Sequence, residues 1–519
     1  MRLWPTAWLA TAEKGTYMAN PLYDRLFGIH ASKTKPFLYL PDGTTISYAH
    51  FLEMTAQLAH ALVKHGLQPG DRVAMQTEKT PQALALYAAC VQAGLIFLPL
   101  NIAYTVEELS YFLDNSGASV VVCDGAKAEK LQVLADELGV VLRTLNADGT
   151  GTLMDEANSQ PTAFETVDRD LQDLSAFLYT SGTTGRSKGA MLTQDNLLSN
   201  ADTLVEYWRF SEEDVLLHAL PIFHTHGLFV ATNVILAVGG SMIFLPKFNL
   251  DKIIEKLPDA TSMMGVPTFY TRLLGDERFT KELTGHIRLF TSGSAPLLAE
   301  THRQFEDRTN HRILERYGMT ETNMSTSNPY DGERRAGTVG FPLPGVELKI
   351  TDPESGTELE QGAIGVIEVR GRNVFKGYWQ MPEKTAAELR EDGFFITGDM
   401  GKVDEDGYVH IVGRNKDLII SGGYNIYPKE IELLLDEQPG VLESAVIGVP
   451  HADFGEAPLG ILVAEKGQTP DLDAIMTTVK DRLARFKHPQ KLLVVNELPR
   501  NTMGKVQKNV LRERFSEPG

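Results

Sequence analysis

The sequence predicts an α/β protein: a large, multilayered N-terminal domain with mainly parallel strands, followed by a small α+β domain. Three observations predict it. From Thr45 onward, segments with the apolar spacing of helices alternate with short apolar, β-branched runs, the pattern of strands joined by covering helices. The chain has 519 residues, more than one hydrophobic core organises. After Gly413 the character changes, and a shorter set of strands and helices follows that is long enough to fold by itself.

The elements follow in order. Tyr48–Lys64 reads as a helix and Arg72–Gln76 as a strand. Thr80 and Pro81 open the next helix, since threonine caps free amides and proline at the first helical position has no amide hydrogen to lose. Leu95–Leu98 reads as a strand. The polar stretch Asn146–Asp173 has few apolar anchors and is expected to cross the surface between two layers. A strand about Ala176–Leu178 and a helix over Asn196–Trp208 bracket a loop rich in glycine and hydroxyl residues. Beyond Gly413, strands are expected at Glu443–Val449, Leu459–Ala464 and Lys491–Val495, and helices at Lys429–Glu437 and Leu472–Arg485. The domain boundary is placed at Gly413-Arg414, giving domains 1–413 and 414–519.

Composition excludes several classes. The chain is 43% hydrophobic, as a globular protein is, and its net charge of −19 argues against a nucleic-acid partner, because binding phosphate polymers needs a basic surface. The only cysteines, Cys90 and Cys123, lie inside apolar runs and read as buried free thiols, which suits a reducing cytoplasm. No run reaches the roughly 18 apolar residues of a membrane span. Pro5 interrupts a short apolar start that is unlike a signal peptide, so export is not expected.

The loop Tyr179-Thr180-Ser181-Gly182-Thr183-Thr184-Gly185-Arg186-Ser187-Lys188-Gly189 has the makings of a phosphate cradle. Glycines open backbone conformations closed to other residues, hydroxyls donate hydrogen bonds, and Lys188 supplies a point charge. It is not a Walker loop, which would place Gly-Lys before Ser or Thr. Downstream come Tyr317-Gly318-Met319-Thr320-Glu321, Thr397-Gly398-Asp399, Gly413-Arg414-Asn415-Lys416-Asp417 and Pro499-Arg500-Asn501-Thr502-Met503-Gly504-Lys505. In this order and spacing the set resembles the adenylate-forming superfamily of acyl-CoA synthetases, luciferases and peptide-synthetase adenylation domains. The resemblance runs from about residue 36 to about residue 514; residues 1–17 precede it and are read as extraneous.

The resemblance implies two half-reactions on ATP and coenzyme A, with magnesium as the metal. Thr180, Ser181, Gly182, Thr183, Thr184, Gly185 and Lys188 would hold phosphates, with Thr320 beside them and Glu321 as the magnesium ligand. Tyr317 would stack on adenine, and Asp399 and Arg414 would bind the ribose. Lys505 would be the catalytic lysine of adenylation, carried on a mobile lid that turns about a hinge at Lys416. Gly422 and Gly423 would line the pantetheine tunnel. A zinc reading of His218, His224 and His226 lacks a cysteine or acidic cluster. His-Thr-His-Gly resembles instead the superfamily's gate, with His226 flanking the acyl-phosphate.

The acid is a separate question. A dicarboxylate needs a second buried cation, because an unpaired charge in an apolar pocket costs several kcal/mol. The runs Leu220–Phe229, Gly265–Leu274, Ser292–Leu297, Arg316–Asn323 and Asn501–Lys508 resemble bacterial malonyl-CoA synthetases. That implies malonate as the acid, with methylmalonate as a further substrate. Arg272 and Ser294 would hold the distal carboxylate and Met319 would limit room beside the methylene. The alternative is a short- or medium-chain monocarboxylate acyl-CoA synthetase, in which Arg272 faces solvent. A lysine acetyltransferase and deacetylase acting on Lys505 are further expected partners, since acetylation would remove its charge.

Overall fold

The computed structural model describes residues 19–180, 187–421, 424–451, 454–483, 485–501 and 504–515. Ser181, Gly182, Thr183, Thr184 and Gly185 of the phosphate loop, Gly422 and Gly423 of the expected tunnel, and residues 1–17 lie outside the described residues. The chain forms two compact units.

The first unit holds the chain up to Leu38, Thr45–Tyr179 and Met191–Leu198. Its helices start where the sequence supplies caps. Ser47 accepts the amide of His50 at the head of Tyr48–Lys64, and Thr80 accepts that of Ala83 at the head of Pro81–Gln92. Thr105 and Glu108 close a capping box on Val106–Ser116. The strands lie in the order Val141–Thr144, Val120–Cys123, Arg72–Gln76, Ile96–Pro99, Leu174–Thr180, all parallel. Val120–Cys123 is buried along its whole length, as a strand covered on both faces must be. Cys90 and Cys123 are both buried free thiols. The stretch Asn146–Asp173 contains a short helix, Thr152–Ala157, that the sequence reading passed over.

The second unit takes Tyr39–Thr44, Thr180–Ala190 and everything from Ser199. Its central strands run parallel in the order Ser241–Phe244, Val215–His218, Ser262–Gly265, Leu289–Ser292, Leu314–Met319, and Asn323–Ser327 turns back antiparallel on the last. A four-stranded antiparallel sheet follows: Glu347–Thr351, Gly365–Arg370, Phe395–Val403, Val409–Arg414. A short 3-10 turn, Asn415–Asp417, leads to the C-terminal sheet. There Val441–His451, Gly455–Ala464 and Lys491–Val495 lie side by side, and a small hairpin, Ile419–Ser421 with Tyr424–Ile426, that the sequence reading did not foresee joins Gly455 through Ser421. Helices Pro428–Asp436 and Leu472–Arg482 cover one face around Ile431, Leu435, Val446, Leu462 and Val479. The second of these stops short of the expected Arg485, which begins a 3-10 turn instead.

One ion pair fastens the parallel sheet at the entry to Val215–His218. Asp214, just ahead of the first strand, is 3% exposed at its side chain and accepts Nε and Nη2 of Arg288 at 2.7 Å each, a two-pronged contact between planar groups. Thr261 and the amide of Ser211 fill its remaining lone pairs, and Arg288 also donates to the Trp208 carbonyl. Removing one partner strands a buried charge. Arg288→Met should therefore destabilise the second unit by about 3–5 kcal/mol, read as a lower unfolding temperature in calorimetry, and Asp214→Leu on that background should recover part of the loss.

Candidate active site

The side chains of interest sit on loops leaving the carboxyl ends of the second unit's parallel strands, at His218, Gly265, Ser292 and Met319. Ligands collect at that edge of a parallel sheet because every strand hands over to a loop on the same side.

Nucleotide groups come first. Asp399 and Arg414 face each other as cross-strand partners of two antiparallel strands, so sheet register alone brings them together. Arg414 Nε donates to one Asp399 oxygen at 2.9 Å, and the Tyr317 hydroxyl donates to the other at 2.6 Å. Burial, then the Asp399 charge, push the Tyr317 phenol well above its ordinary range. Gly398 has φ +70°, a left-handed conformation that lets the chain turn Asp399 inward. Thr320 is half-buried in the turn after Met319, with Glu321 next to it.

Around Glu321 lies a network that sequence reasoning did not anticipate. Glu321 is 4% exposed and accepts the Tyr378 hydroxyl at 3.0 Å and the Thr180 hydroxyl at 3.4 Å. Burial raises its carboxyl above the usual range. The same Tyr378 hydroxyl lies 2.7 Å from Glu388, and Lys188 donates to both Tyr378 at 3.1 Å and Glu388 at 3.2 Å. A single phenol proton thus serves two carboxylates, with the loop lysine alongside. Tyr378 and Glu388 carried no motif that pointed to them. Glu321 offers the hard oxygen that magnesium takes when phosphates supply the rest of its shell, so the donor set fits that ion.

Beside Ser294 and His226, expected on the acyl side, lies a buried arginine. Strand alternation sends Glu315 and Arg316 to opposite faces of Leu314–Met319. Glu315 lies 3.4 Å from His302 on its face. Arg316 is 3% exposed, and its Nε and Nη2 have no hydrogen-bond partner among the described residues. Burial lowers its guanidinium to about 9. It lies against Gly293, where a β-carbon would fall 2.4 Å from the guanidinium. Next to Gly293, Ser294 sits at φ +69°, a strained conformation for a residue with a side chain, and its hydroxyl lies 3.1 Å from His226 Nδ1. Met319 is half-buried at the strand end. Arg272 is exposed on helix Pro267–Leu274, its guanidinium 5.4 Å above the Phe248 ring. Of the two arginines, the enclosed one is Arg316. Sequence reading quoted it without a role; a charged residue in step with Leu314 on a buried strand was the signal.

Lys505 joins these groups from the C-terminal region. Lys505 is exposed as a residue; desolvation by the groups around it, then the Arg414 charge, lower its ammonium, with Asp399 and Glu321 opposing them. The turn holding it closes through Asn501, and Gly504 approaches Thr268, at the head of the Arg272 helix. Lys416 is exposed in the Asn415–Asp417 turn, its ammonium lowered by partial burial and Arg414.

The chain has well-defined relatives. A family model described as AMP-binding enzyme matches residues 29–379, and one for the C-terminal domain of AMP-binding enzymes matches 430–505. A malonate–CoA ligase of Arabidopsis thaliana is 37% identical, over 91% of this chain and 85% of its own. A feruloyl-CoA synthase of an Amycolatopsis species is also 37% identical, over 91% and 94%. The ATP-bound crystal structure of MatB from Rhodopseudomonas palustris superposes with a TM-score of 0.94 at 59% identity, covering 96% of this chain and 99% of the other.

The histidines generate a prediction about pH. Burial, then the Lys505 charge, lower His224 to about 3, and burial holds His226 well below the ordinary range. Each binds a proton more readily unfolded, so the stability they contribute is complete above about 6.5 and declines as pH falls, by up to about 1.4 kcal/mol per unit for each ring. The unfolding temperature should fall between pH 6 and 4, and His224→Gln should make that fall shallower.

Proposed function

The chain belongs to the AMP-binding enzyme family, and on that premise we propose that it is a malonyl-CoA synthetase, converting malonate, ATP and coenzyme A to malonyl-CoA, AMP and diphosphate through a malonyl-adenylate. The observation that carries this reading is Arg316, a buried cation whose Nε and Nη2 find no hydrogen-bond partner among the described residues. A monocarboxylate would bring one charge, needed at the phosphate, and would leave the guanidinium uncompensated. Malonate brings a second carboxylate one methylene away. Overall identity does not choose the acid, since the feruloyl-CoA synthase is as similar as the Arabidopsis ligase. A malonate–CoA ligase stands among the relatives and supports the dicarboxylate reading. In this reading Arg316 and Ser294 hold the distal carboxylate, Arg272 supplies positive charge from its exposed helix, and Met319 borders the methylene.

In the first half-reaction a malonate oxygen bonds to the α-phosphorus of ATP as the bond to the β-phosphate oxygen breaks and diphosphate leaves. Two anions must meet, so the residues needed are cations. Lys505 lies in the fields of Arg414, Asp399 and Arg316, a position from which its ammonium can bridge carboxylate and α-phosphate. Asp399, Arg414 and Tyr317 take the ribose and adenine, and Lys188, Thr180 and Thr320, with Ser181 to Gly185, take the phosphates. Glu321 would hold magnesium, which neutralises phosphate charge when bound. In the second half-reaction the thiol of coenzyme A loses its proton, its sulfur bonds to the acyl carbon, and AMP leaves. The lid is read as 414–519, hinged at Lys416, with Gly422 and Gly423 along the thiol's path; the 3-10 turn between the four-stranded antiparallel sheet and the C-terminal sheet supports that hinge. No helix among the described residues is long and apolar enough to cross a membrane, and two buried free thiols fit a reducing cytoplasm. Acetylation of Lys505 has no support in the relatives' names.

Two experiments test this reading. Diphosphate release across malonate, methylmalonate, acetate, octanoate and a cinnamate should be greatest with malonate, and Arg316→Gln should raise the malonate KM at least about a hundredfold while leaving the ATP KM within about twofold. Preference for a monocarboxylate would overturn the assignment. Lys505→Ala should lose adenylation by about three orders of magnitude yet keep thioester formation from supplied malonyl-adenylate; equal loss of both would reject a lid with two poses.

A further inference from the structure

His226 does not sit on an ordinary helix. Residues His226–Thr232 form a π-helix, a wide turn in which amides bond five residues back. Such turns are rare, less stable than α-helix, and persist only where the surroundings over-determine them. Here three constraints do so. Gly227 packs so tightly under Pro221 that a β-carbon would fall 1.9 Å from the Pro221 carbonyl oxygen, so only glycine fits. The Gly227 carbonyl accepts the Thr232 hydroxyl at 2.9 Å, from the far end of the same turn. It also accepts His218 Nε2 at 2.8 Å, and since a carbonyl only accepts, His218 carries its proton on Nε2. The Thr232 oxygen is itself 3.3 Å from that nitrogen, which closes a small triangle. His218 is 1% exposed and Thr232 is fully buried, so water does not compete.

We propose that His218 and Thr232 are positioning residues for His226: by clamping the Gly227 carbonyl from two sides they hold the wide turn that sets the His226 ring against Ser294. His218 is the last residue of a central strand, so the clamp is anchored to the rigid sheet. At the other end, Ser294 is held in its left-handed conformation beside the Gly293–Arg316 contact. The ring is therefore located between two fixed points, with Nδ1 on Ser294 and Nε2 bearing no hydrogen bond to the described residues. Relaxation of the turn to α-helical spacing would rotate His226 relative to Thr232 and move the ring off Ser294. The residue's task in the proposed reaction is to flank the acyl-phosphate and admit the thiol, so the clamp matters most after the adenylate has formed. This inference rests on the function proposed above.

The test compares Thr232→Val, which keeps shape and loses the hydroxyl, with Thr232→Ser, which keeps the hydroxyl, and adds His218→Leu. Malonate-dependent ATP–diphosphate exchange and thioester formation from supplied malonyl-adenylate are measured separately. Thr232→Val and His218→Leu should slow the thioester step by about tenfold or more while exchange stays within about twofold, and Thr232→Ser should stay near the parent in both. Equal behaviour of the valine and serine variants, or equal loss of both half-reactions, would overturn the proposal. Should the parent show no malonate-dependent exchange, the functional reading fails instead, and the serine–valine comparison is made with whichever acid supports exchange and decides the clamp in the same way.

Discussion

A guanidinium enclosed by protein, two of whose nitrogens find no hydrogen-bond partner among the described residues, is an expensive thing to fold, and Arg316 is that group. Much of the acyl side can be understood as what such a cation requires. Gly293 gives up its side chain so that the guanidinium can lie against backbone. Ser294 accepts backbone strain to turn its hydroxyl toward His226. His226 stays neutral in this setting, since burial comes first and the Arg316 charge adds to it. The charge is retained at a cost in stability, and in the proposed function the return would be a preference for an anion over the apolar tail of a monocarboxylic acid.

Lys188 is treated in the opposite way. It too is buried, yet Glu388 and Tyr378 surround its ammonium, and Lys384 joins Glu388 from the other side. Lys188 therefore meets an arriving phosphate already paired, and binding there is an exchange of one anion for another. Exchange changes net charge little and keeps the lysine in place between cycles. Arg316 has no such internal substitute at Nε and Nη2 among the described residues. In the proposed function the two cations would divide the work: one handling a ligand that enters and leaves as diphosphate, the other selecting which acid is worth activating.

Most of the architecture was legible in the sequence because its signals are local. Ser47, Thr80 and Thr105 announce helices by chemistry within four residues of themselves, and Arg72–Gln76 and Lys491–Val495 fall where apolar runs put them. Glu321, Asp399 and Lys505 were named through motif order, and the structure brings them together. What escaped depends on distances along the chain that no window spans. Tyr378 and Glu388 reach Lys188 from about two hundred residues away. Arg316 looked like any strand arginine until its neighbours were known, while Arg272, in a conspicuous uncharged run, turned out exposed over Phe248. The π-turn at His226 has no propensity signature at all, since it depends on Pro221 and His218 closing over one glycine.

The pairing of Asp399 with Arg414 has a mechanical side. Arg414 is the last residue of its strand, and the turn leading to the C-terminal sheet starts at the next residue. The carboxylate that would receive the sugar therefore also tethers the root of that sheet, through the 2.9 Å contact to Arg414. A sugar hydroxyl that takes up this oxygen competes with the tether, and one that bridges both groups tightens it. With a nucleotide seated as proposed, its occupancy and the orientational freedom of the last hundred or so residues would in this way be a single equilibrium, read at a single carboxylate.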